Sequence, residues 1–434
     1  MKNDDKISRR KFIRNSAGAA ALLSVPTIIP ASAFGSNDKI QVAVLGVNGR
    51  GKSHIKGFQA LENAQVVYLC DPDKRVLAER SADFQKEYSA NVQVEQDLRK
   101  IFDNKKIDVV SIATPNHWHA LAAIWAMKAG KDVYVEKPGS HNLFEGRMLI
   151  EAAKKYKRVF QHGVQLRSSV AIQEAIKHLR DGVIGDVYMA RGLVFKWRPD
   201  IGDLGTEPVP EGLDYDLWTG PAEMRPFSRN YVHYNWHWHW NYGNGDVGNQ
   251  GIHETDLCMW GLDVGLPERI TSMGGKFLWD DSKETPEVLT SNYHYPSQKK
   301  MIEFEVRPWV TNGEDETGIG NIFYGSEGYM VVQGYNKYAT FLGRKKTPGP
   351  AGKEGGDHYK NFIDAVASKD PSLCNGPVET AHLSSGLAHL GNIAYRVGRV
   401  LNFDPKTERF IGDPEADQLL TRTYRDSFAV PAQV

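Results

Sequence analysis

The order of apolar and polar residues after position 38 predicts short strands that alternate with helices. Residues 40–45, 64–70 and 108–113 are β-branched, apolar runs of the kind that form buried parallel strands. Helical patterns follow the first and third runs, over residues 52–61 and 120–129. Strands that alternate with helices predict an α/β chain with a doubly wound parallel sheet.

Beyond residue 130 the pattern continues and then changes. An apolar run at 132–135 precedes an amphipathic helix at 143–156, a strand at 159–165 and a helix at 168–181. Later strands are short and alternating, at 270–277, 290–295, 300–306 and 329–333, with helices at 358–367 and 380–401. We therefore expect a second sheet in a second domain.

A glycine-rich turn, Gly46-Val47-Asn48-Gly49-Arg50-Gly51, joins the first strand to its helix. This order of strand, turn and helix is the context of a dinucleotide fingerprint, because N–H groups at the helix N-terminus can face a pyrophosphate. Asn48 stands where a second glycine is usual, and asparagine tolerates left-handed backbone. We expect Gly46, Asn48, Gly49, Arg50 and Gly51 to bind the nucleotide.

Asp71 ends the second strand, 25 residues after Gly46, where a ribose-binding acid is expected. An acid at this position favours NAD over NADP. Two alternatives stay open: Asp71 caps the next helix, or the nearby Lys74 and Arg75 accept a 2′-phosphate.

Polar residues follow the third and fourth strands directly. They are Thr114, Asn116, His117 and His119 after residues 108–113, and Glu136-Lys137-Pro138 after residues 132–135. The carboxyl ends of parallel strands line the ligand crevice in such sheets. These side chains are therefore predicted to contact the nucleotide, with Lys137 beside it.

Four motifs, at residues 46–51, 114–119, 136–138 and 251–256, resemble in order those of the Gfo/Idh/MocA family, named after glucose-fructose oxidoreductase and inositol dehydrogenase. The resemblance implies an NAD-binding Rossmann domain over residues 38–165. It implies a C-terminal α/β domain over residues 166–434, with a large open, mainly antiparallel sheet. It also implies a dehydrogenase that oxidises a ring hydroxyl of a sugar, glycoside or inositol to a ketone.

The same resemblance assigns roles in proton transfer. The family often has an aspartate four residues before its catalytic histidine, and here Asn249 precedes His253. Asparagine orients a hydroxyl but cannot accept its proton. Proton transfer is therefore expected of His253 and Lys137, with Asp246 as a substitute acid nearby. The structural alternative is an ion pair for Lys137 and a helix cap for His253.

Two residues after the last strand of the first domain are assigned by resemblance alone. Gln165 is expected at the nicotinamide and Arg167 at the substrate. An ordinary ion pair is an equally adequate use of Arg167.

An aromatic stretch at residues 231–241 follows a long Gly- and Pro-rich loop at 200–226. Read as a strand, it has an aromatic face and a hydrogen-bonding face. Sugars need both, so Trp236, His237 and His239 are predicted to contact substrate. Core packing is the alternative for the rings, and no completing carboxylate supports metal binding by the two histidines.

Two other functions stay open. Exported NAD-dependent α-N-acetylgalactosaminidases share the glycine-rich turn and oxidise their sugar only transiently. They have a Tyr-Pro-Thr-His-type segment where this chain has residues 249–253, and they lack a matching Glu-Lys-Pro lysine. A noncatalytic sugar-binding protein is the other alternative.

Composition narrows the class of protein. The 434 residues include 53 basic and 53 acidic side chains, and this balance provides no electrostatic footprint for nucleic acid. The three cysteines lack metal-site spacing. The length suits two domains with sizeable cores. By resemblance we expect a homo-oligomer, either a dimer or a tetramer.

The N-terminus carries a targeting pattern. Ser8-Arg9-Arg10-Lys11-Phe12-Ile13 precedes a mildly apolar stretch at 17–29 and the small residues Ala31-Ser32-Ala33. The apolar stretch is short for a membrane span. We expect residues 1–33 to be a twin-arginine signal peptide and the mature protein to be periplasmic. Because free NAD is scarce there, tight retention of the cofactor is expected.

Overall fold

The computed structural model describes residues 39–308 and 313–434. The predicted signal peptide at 1–33 lies outside the described residues. Within them, no helix combines the length and the apolar character needed to cross a bilayer.

The first sheet has six parallel strands in the order β3-β2-β1-β4-β5-β6. These are β1 Ile40–Leu45, β2 Ala64–Cys70, β3 Gln93–Glu95, β4 Val109–Ile112, β5 Asp132–Val135 and β6 Phe160–His162. The helices among them are Gly51–Gln59, Lys74–Tyr88, Leu98–Asp103, Asn116–Lys128 and Leu143–Tyr156. The predicted Rossmann sheet is confirmed, and its strand order reverses between β1 and β4, where such sheets bind ligands.

The second sheet has ten strands. These are β7 Val187–Phe195, β8 Arg269–Gly275, β9 Val288–Tyr295, β10 Lys300–Arg307, β11 Ile319–Gly325, β12 Gly328–Gln333, β13 Lys337–Leu342, β14 Thr347–Lys353, β15 Leu401–Asp404 and β16 Arg409–Phe410. Their order is β14-β13-β12-β11-β7-β10-β9-β8-β15-β16, and only the β7–β10 pair is parallel. The prediction of a mainly antiparallel second sheet is confirmed.

Further helices follow the first sheet, and Val170–Arg180, Ile252–Leu262 and Val378–Val397 among them pack against the second sheet. The longer ones are Val170–Arg180, Ile252–Leu262, His358–Ser368 and Val378–Val397, and the short ones are Tyr215–Thr219, Gly245–Asn249 and Pro414–Gln418. Single 3₁₀ turns occur at Gln165–Ser168, Asn235–Trp238, Pro296–Gln298, Pro371–Leu373 and Asp426–Phe428. In β9 every second residue is buried, so one face of this sheet packs on the core.

The boundary at residues 165 and 166 separates the two sheets but not the two cores. The helix His358–Ser368 packs against the first sheet, where the Phe362 ring lies 6.2 Å from that of Phe58 and 5.8 Å from that of Tyr134. Cys374 is buried in the same cluster. The chain therefore returns to complete the first core.

The prediction of a strand over residues 231–241 is wrong. The segment forms turns and the 3₁₀ helix Asn235–Trp238, held by local bonds such as Trp236 N–H to the Tyr231 carbonyl at 3.1 Å. The alternation of faces is lost: Trp236 is buried, whereas Tyr234 is 55% exposed. Aromatic propensity favoured a strand, but no neighbouring strand pairs with this backbone.

Candidate functional site

Two glycines shape the turn between β1 and the first helix. Gly46 has φ +77°, and a Cβ there would stand 2.6 Å from the Ala113 carbonyl oxygen. A Cβ on Gly51 would stand 2.1 Å from the Gly46 carbonyl oxygen. At Gly49 the position of a Cβ has no heavy atom within 4 Å. The turn therefore needs glycine for its own packing at 46 and 51, and it is open at 49.

A cavity of about 280 Å³ lies at the carboxyl ends of the first sheet. It is lined by the glycine-rich turn (Gly46, Asn48, Gly49, Arg50), by Asp71, Thr114, Asn116 and His119, and by Glu136, Lys137 and Asn249. The buried atoms Thr114 Oγ1 and Asn116 Oδ1 have no hydrogen-bond partner among the described residues. Buried polar atoms of this kind are normally paired, so their placement fits a polar ligand such as a dinucleotide.

Asp71 is buried at the end of β2 and accepts two backbone hydrogen bonds. Val47 N–H donates to Oδ2 at 3.0 Å, and Asp73 N–H donates to Oδ1 at 3.1 Å. Burial raises the pKa of Asp71 to about 6, although these hydrogen bonds oppose the shift. The helix cap is Asp73, not Asp71. Arg75 pairs with Asp73 at 2.7 Å, so its guanidinium is already engaged, an arrangement that suits NAD better than NADP.

A long segment, called here the cofactor strap, comprises residues 212–237. It is hydrogen-bonded to the loop and helix that follow β2. Lys74 N–H donates to the Gly212 carbonyl at 3.0 Å, and Asp214 N–H donates to the Pro72 carbonyl at 2.9 Å. His233 Nε2 lies 3.1 Å from Asp73 Oδ2. Along the strap, Leu217, Trp218, His233, Tyr234, Trp236 and His237 line the cavity. The strap thus forms the wall of the cavity beside Asp71.

Glu136 is the centre of a buried charged cluster. It accepts from Arg50 Nε at 2.8 Å and from Gln165 Nε2 at 3.0 Å, and His54 Nε2 lies 3.1 Å away. Burial alone would raise the pKa of Glu136, but the Arg50 charge and the His54 contact hold it well below its usual range. Glu136 therefore stays ionised beside Lys137.

Lys137 reaches from the first domain to Asn249 in the second. Its Nζ donates to the Asn249 backbone carbonyl and, at 3.3 Å, to the Asn249 Oδ1. Burial lowers the pKa of Lys137 to about 8, with Glu136 opposing the shift and Arg50 adding to it. An amine with this pKa is partly neutral near physiological pH, and a neutral amine can accept a proton.

His253 lies in the first turn of the helix Ile252–Leu262 and is 5% exposed. Its ring packs edge-on against Tyr335, with centroids 5.0 Å apart, and its Nδ1 has no partner in the described part of the chain. Burial, followed by the charge of Lys137, lowers the pKa of His253 to about 3. The pKa of His253 is this low because the ring is desolvated beside a cation, which disfavours the proton transfer expected of it from the sequence.

Asp246 is not available as a substitute acid. Its carboxylate pairs with both Arg198 nitrogens, at 2.7 Å to Nε and 2.5 Å to Nη2. A bidentate guanidinium stabilises the ionised carboxylate and uses both of its oxygens. Asp246 lies close to His253 in the sequence, as the prediction required. Its ion pair with Arg198 could not be predicted from the sequence, because the two residues are 48 positions apart.

The histidines of the 114–119 motif have different surroundings. His119 lines the cavity, with Nδ1 at 2.6 Å from the Pro138 carbonyl and Nε2 at 2.8 Å from the Thr114 carbonyl. His117 is not in the cavity wall, and its Nε2 lies 3.0 Å from the carbonyl of Trp218. The structure thus places His117 against the strap rather than the nucleotide cavity, because the motif forms a helix and its residues face different sides.

Three predicted substrate residues, Arg167, His239 and His253, also lie outside the cavity wall. Arg167 donates to both carboxylate oxygens of Asp256, at 2.7 and 2.9 Å, with its guanidinium over the Trp260 ring. His239 is fully buried, with Nδ1 3.9 Å from Glu284. Trp236 and His237 do line the cavity, with their rings stacked 3.6 Å apart.

Two contributors were missed from the sequence. His54 is fully buried on the helix Gly51–Gln59, between Ser111 Oγ at 2.7 Å and Glu136. It falls on the apolar face at the spacing of Gly51, Ile55 and Phe58, and a polar residue on such a face was the available signal. His233 was seen only as part of the supposed strand, and no local pattern indicates its contact with Asp73.

Comparison with known proteins agrees with this architecture. The sequence profile of the Gfo/Idh/MocA oxidoreductase family, NAD-binding Rossmann fold, matches residues 40–164. The profile of the family's C-terminal α/β domain matches residues 172–273 and 329–430.

Two individual relatives match less than half of the chain, at about 30% identity. A levoglucosan dehydrogenase of Pseudarthrobacter phenanthrenivorans is 31% identical over 165 residues, which are 37% of this chain and 42% of the relative. A glycosyl hydrolase family 109 protein of Solibacter usitatus is 28% identical over 176 residues, 38% of this chain and 40% of the relative. The matched stretch thus spans less than half the length of each of these two relatives.

Solved structures share the fold over most of the chain. A levoglucosan dehydrogenase in complex with NADH and levoglucosan has a TM-score of 0.64 at 18% identity, covering 84% of this chain and 99% of that chain. The WlbA dehydrogenase of Bordetella pertussis, in complex with NADH and UDP-GlcNAcA, has a TM-score of 0.63 at 18% identity, covering 84% and 99%. At this identity the likeness establishes the fold.

Proposed function

The chain belongs to the Gfo/Idh/MocA family of oxidoreductases, and from that premise we propose that it is an NAD-dependent dehydrogenase of carbohydrates. Its substrate is a sugar, glycoside or inositol, of which one ring hydroxyl is oxidised to a ketone. The observation that carries the proposal is the contact of Lys137 with Asn249 at the end of a cavity that also contains the nucleotide-binding turn. The dehydrogenases among the relatives support a carbohydrate substrate.

The residues of the first sheet hold the cofactor. The turn at 46–51 offers backbone N–H groups to the phosphates, Asp71 stands at the ribose position, and Thr114 and Asn116 present unpaired oxygens. Bound NAD supplies the acceptor for the hydride that leaves the substrate carbon.

Lys137 is the proton acceptor in this proposal. A general base works best when its pKa lies near the operating pH, and the pKa of Lys137 is about 8. The pKa of His253 is about 3, so His253 is a weak base. His253 stays neutral and, although it lies behind the residues that line the cavity, is assigned a hydrogen bond to the substrate oxygen. Asn249 accepts from Lys137 through Oδ1, so its Nδ2 is left to orient the hydroxyl.

A second candidate is a glycosidase that oxidises its sugar transiently, eliminates the glycosidic substituent, adds water and returns the hydride. The observation in its favour is the similarity to glycosyl hydrolase family 109 proteins. The same cavity serves both candidates, because both begin with removal of a hydride and a hydroxyl proton.

One experiment separates the two candidates. The purified protein is incubated with sugars and aryl glycosides while reduced nicotinamide fluorescence and released aglycone are followed in the same well. Reduced nicotinamide without aglycone supports the dehydrogenase. Aglycone release without net reduction supports the glycosidase, and neither signal with any sugar contradicts both.

We further propose that the NAD is retained after purification and that the protein is exported to the periplasm by the twin-arginine pathway. The contact of His233 in the strap with Asp73 supports retention of the NAD. Nucleotide released by denaturation, in a near one-to-one ratio to protein, is expected.

Export is tested by replacing Arg9 and Arg10 with lysine and fractionating cells, and an unchanged periplasmic fraction contradicts it. A homo-oligomer, either a dimer or a tetramer, is proposed as well, and light scattering after gel filtration tests it.

A further inference from the structure

A second cavity, of about 770 Å³, shares no lining residue with the nucleotide cavity. Its walls come from five parts of the chain: residues 141–142 after the Lys137 motif, residues 223–225 of the cofactor strap, residues 240–244, one face of the helix Val378–Val397, and residues 418–425. None of the residues predicted from the sequence to bind cofactor or substrate lies in it.

Two asparagines in the wall of this cavity have buried side-chain oxygens without a hydrogen-bond donor in the described part of the chain. Asn392 Nδ2 donates to the Asn244 carbonyl at 3.0 Å, and Asn244 Nδ2 donates to the His141 carbonyl at 3.1 Å. These bonds fix both amides, because only the nitrogen of each can donate. The Oδ1 atoms are left with no donor among residues 39–308 and 313–434, although the two side chains are only 5% and 6% exposed. Such buried acceptors are costly unless a donor reaches them.

Two arginines of the cavity have no carboxylate partner in the described chain. Arg422 donates to the Asn241 carbonyl at 2.8 Å and to the Asn241 Oδ1 at 2.6 Å. Arg396 lies over the Trp240 ring, 5.3 Å from its centroid. The other two arginines in the wall differ, since Arg225 pairs with Glu284 and Arg425 with Asp216. The cavity thus presents two guanidinium groups outside any ion pair of the described residues, on which the charges of Glu145 and Glu284 act from further away, beside two asparagines and an indole ring.

We propose that this cavity is a second ligand site and that its ligand is a hydroxylated carboxylate, that is, a sugar acid. A carboxylate matches the forked donors of Arg422 and Arg396. Hydroxyl groups donate to the Oδ1 atoms of Asn244 and Asn392, and the C–H face of the ligand packs on Trp240. A neutral sugar leaves both guanidinium groups without a carboxylate partner, and a plain carboxylate leaves both amide oxygens without a donor.

Titration calorimetry on the purified full chain tests the site with D-glucuronate, D-gluconate, D-glucose and acetate. Wild type is expected to bind one or both sugar acids saturably, and glucose and acetate at least about tenfold more weakly. Arg396→Ala, which alters an exposed side chain, and Asn392→Leu are each expected to weaken sugar-acid binding about tenfold.

Two controls locate the heat of binding. Arg399→Ala removes an arginine just beyond the same helix, paired with Asp413 and outside the cavity, and is expected to bind as wild type. Lys137→Ala alters the nucleotide cavity and is also expected to leave sugar-acid binding unchanged. The proposal is overturned if no sugar acid binds saturably below about 10 mM. It is also overturned if Lys137→Ala abolishes the heat, or if Arg396→Ala and Asn392→Leu both bind as wild type. Because this readout is binding and not turnover, it stands apart from the test of dehydrogenase activity.

Discussion

The two ends of the nucleotide cavity are built by different forces. At the end with Lys137, charged side chains make the contacts: Arg50 pairs with the buried Glu136, and Lys137 donates to Asn249. At the end with Asp71, the strap is attached mainly by backbone hydrogen bonds, between Lys74 and Gly212 and between Asp214 and Pro72. The first end responds to charge and pH, and the second responds to the fit of one chain segment on another.

This difference separates chemistry from cofactor retention. A change at the charged end is expected to alter the rate of the chemical step while the nucleotide stays bound. A change at the strap is expected to alter nucleotide release while the chemical step continues. The predictions below test that division, from the largest expected effect to the smallest.

Replacing Lys137 with alanine is expected to lower kcat by about 10²–10⁴-fold, because a positioned proton acceptor is lost. The amount of nucleotide released on denaturation should match that of wild type. Lys128→Ala, at an exposed position on the helix Asn116–Lys128, is the control. A Lys137→Ala enzyme with wild-type kcat would remove Lys137 from the proton transfer.

Arg167→Ala tests whether this residue belongs to the charged end. Because Asp256 is 2% exposed in its side chain and would lose its bidentate partner, the free energy of unfolding is expected to fall by about 3 kcal/mol. The KM for sugar should change little. Urea unfolding and KM are measured beside Arg180→Ala, which breaks an exposed pair with Asp263. A raised KM with unchanged stability would instead support the substrate role predicted from the sequence.

His233→Ala should act only on the strap end. Loss of the contact with Asp73 is expected to speed release of bound NADH about tenfold, with kcat at saturating NAD close to wild type. The decay of bound NADH fluorescence during chase with excess NAD measures the release. His178→Ala, which removes a partly exposed histidine near Glu174, is the matched control. Equal release rates in both variants would contradict a retaining strap.

The pH dependence of kcat sharpens the assignment of the base. Because Lys137 acts in its neutral form, kcat should rise with pH and level off above its pKa of about 8. Glu136 favours the charged form of Lys137, so Glu136→Gln should move the midpoint to lower pH. Glu174→Gln, on an exposed carboxylate, should leave the midpoint in place. A midpoint that moves upward in Glu136→Gln would refute this electrostatic coupling.

Much of the fold follows from local pattern. The helix expected at 143–156 is observed as Leu143–Tyr156, and β1 and β2 coincide with their predicted runs. Strands at 187–195 and 337–342 were missed, since their mixed polarity reflects a sheet that is buried mainly on one face. The strand predicted at 231–241 was wrong for the opposite reason. The residues have strong β propensity, but no neighbouring strand pairs with them.

The sequence by itself predicted which residues lie at the carboxyl edge of the first sheet. The glycine-rich turn, Asp71 and Lys137 each follow a strand directly, and parallel strands bring their carboxyl ends to one edge. Only the tertiary structure decided which of them act together. Asp246 binds Arg198, Arg167 binds Asp256, and burial moves the pKa values of Lys137 and His253 in ways that no motif specifies. The reason is physical: the succession of strands and helices along the chain depends on local pattern, whereas ion pairing and desolvation depend on residues distant in the chain.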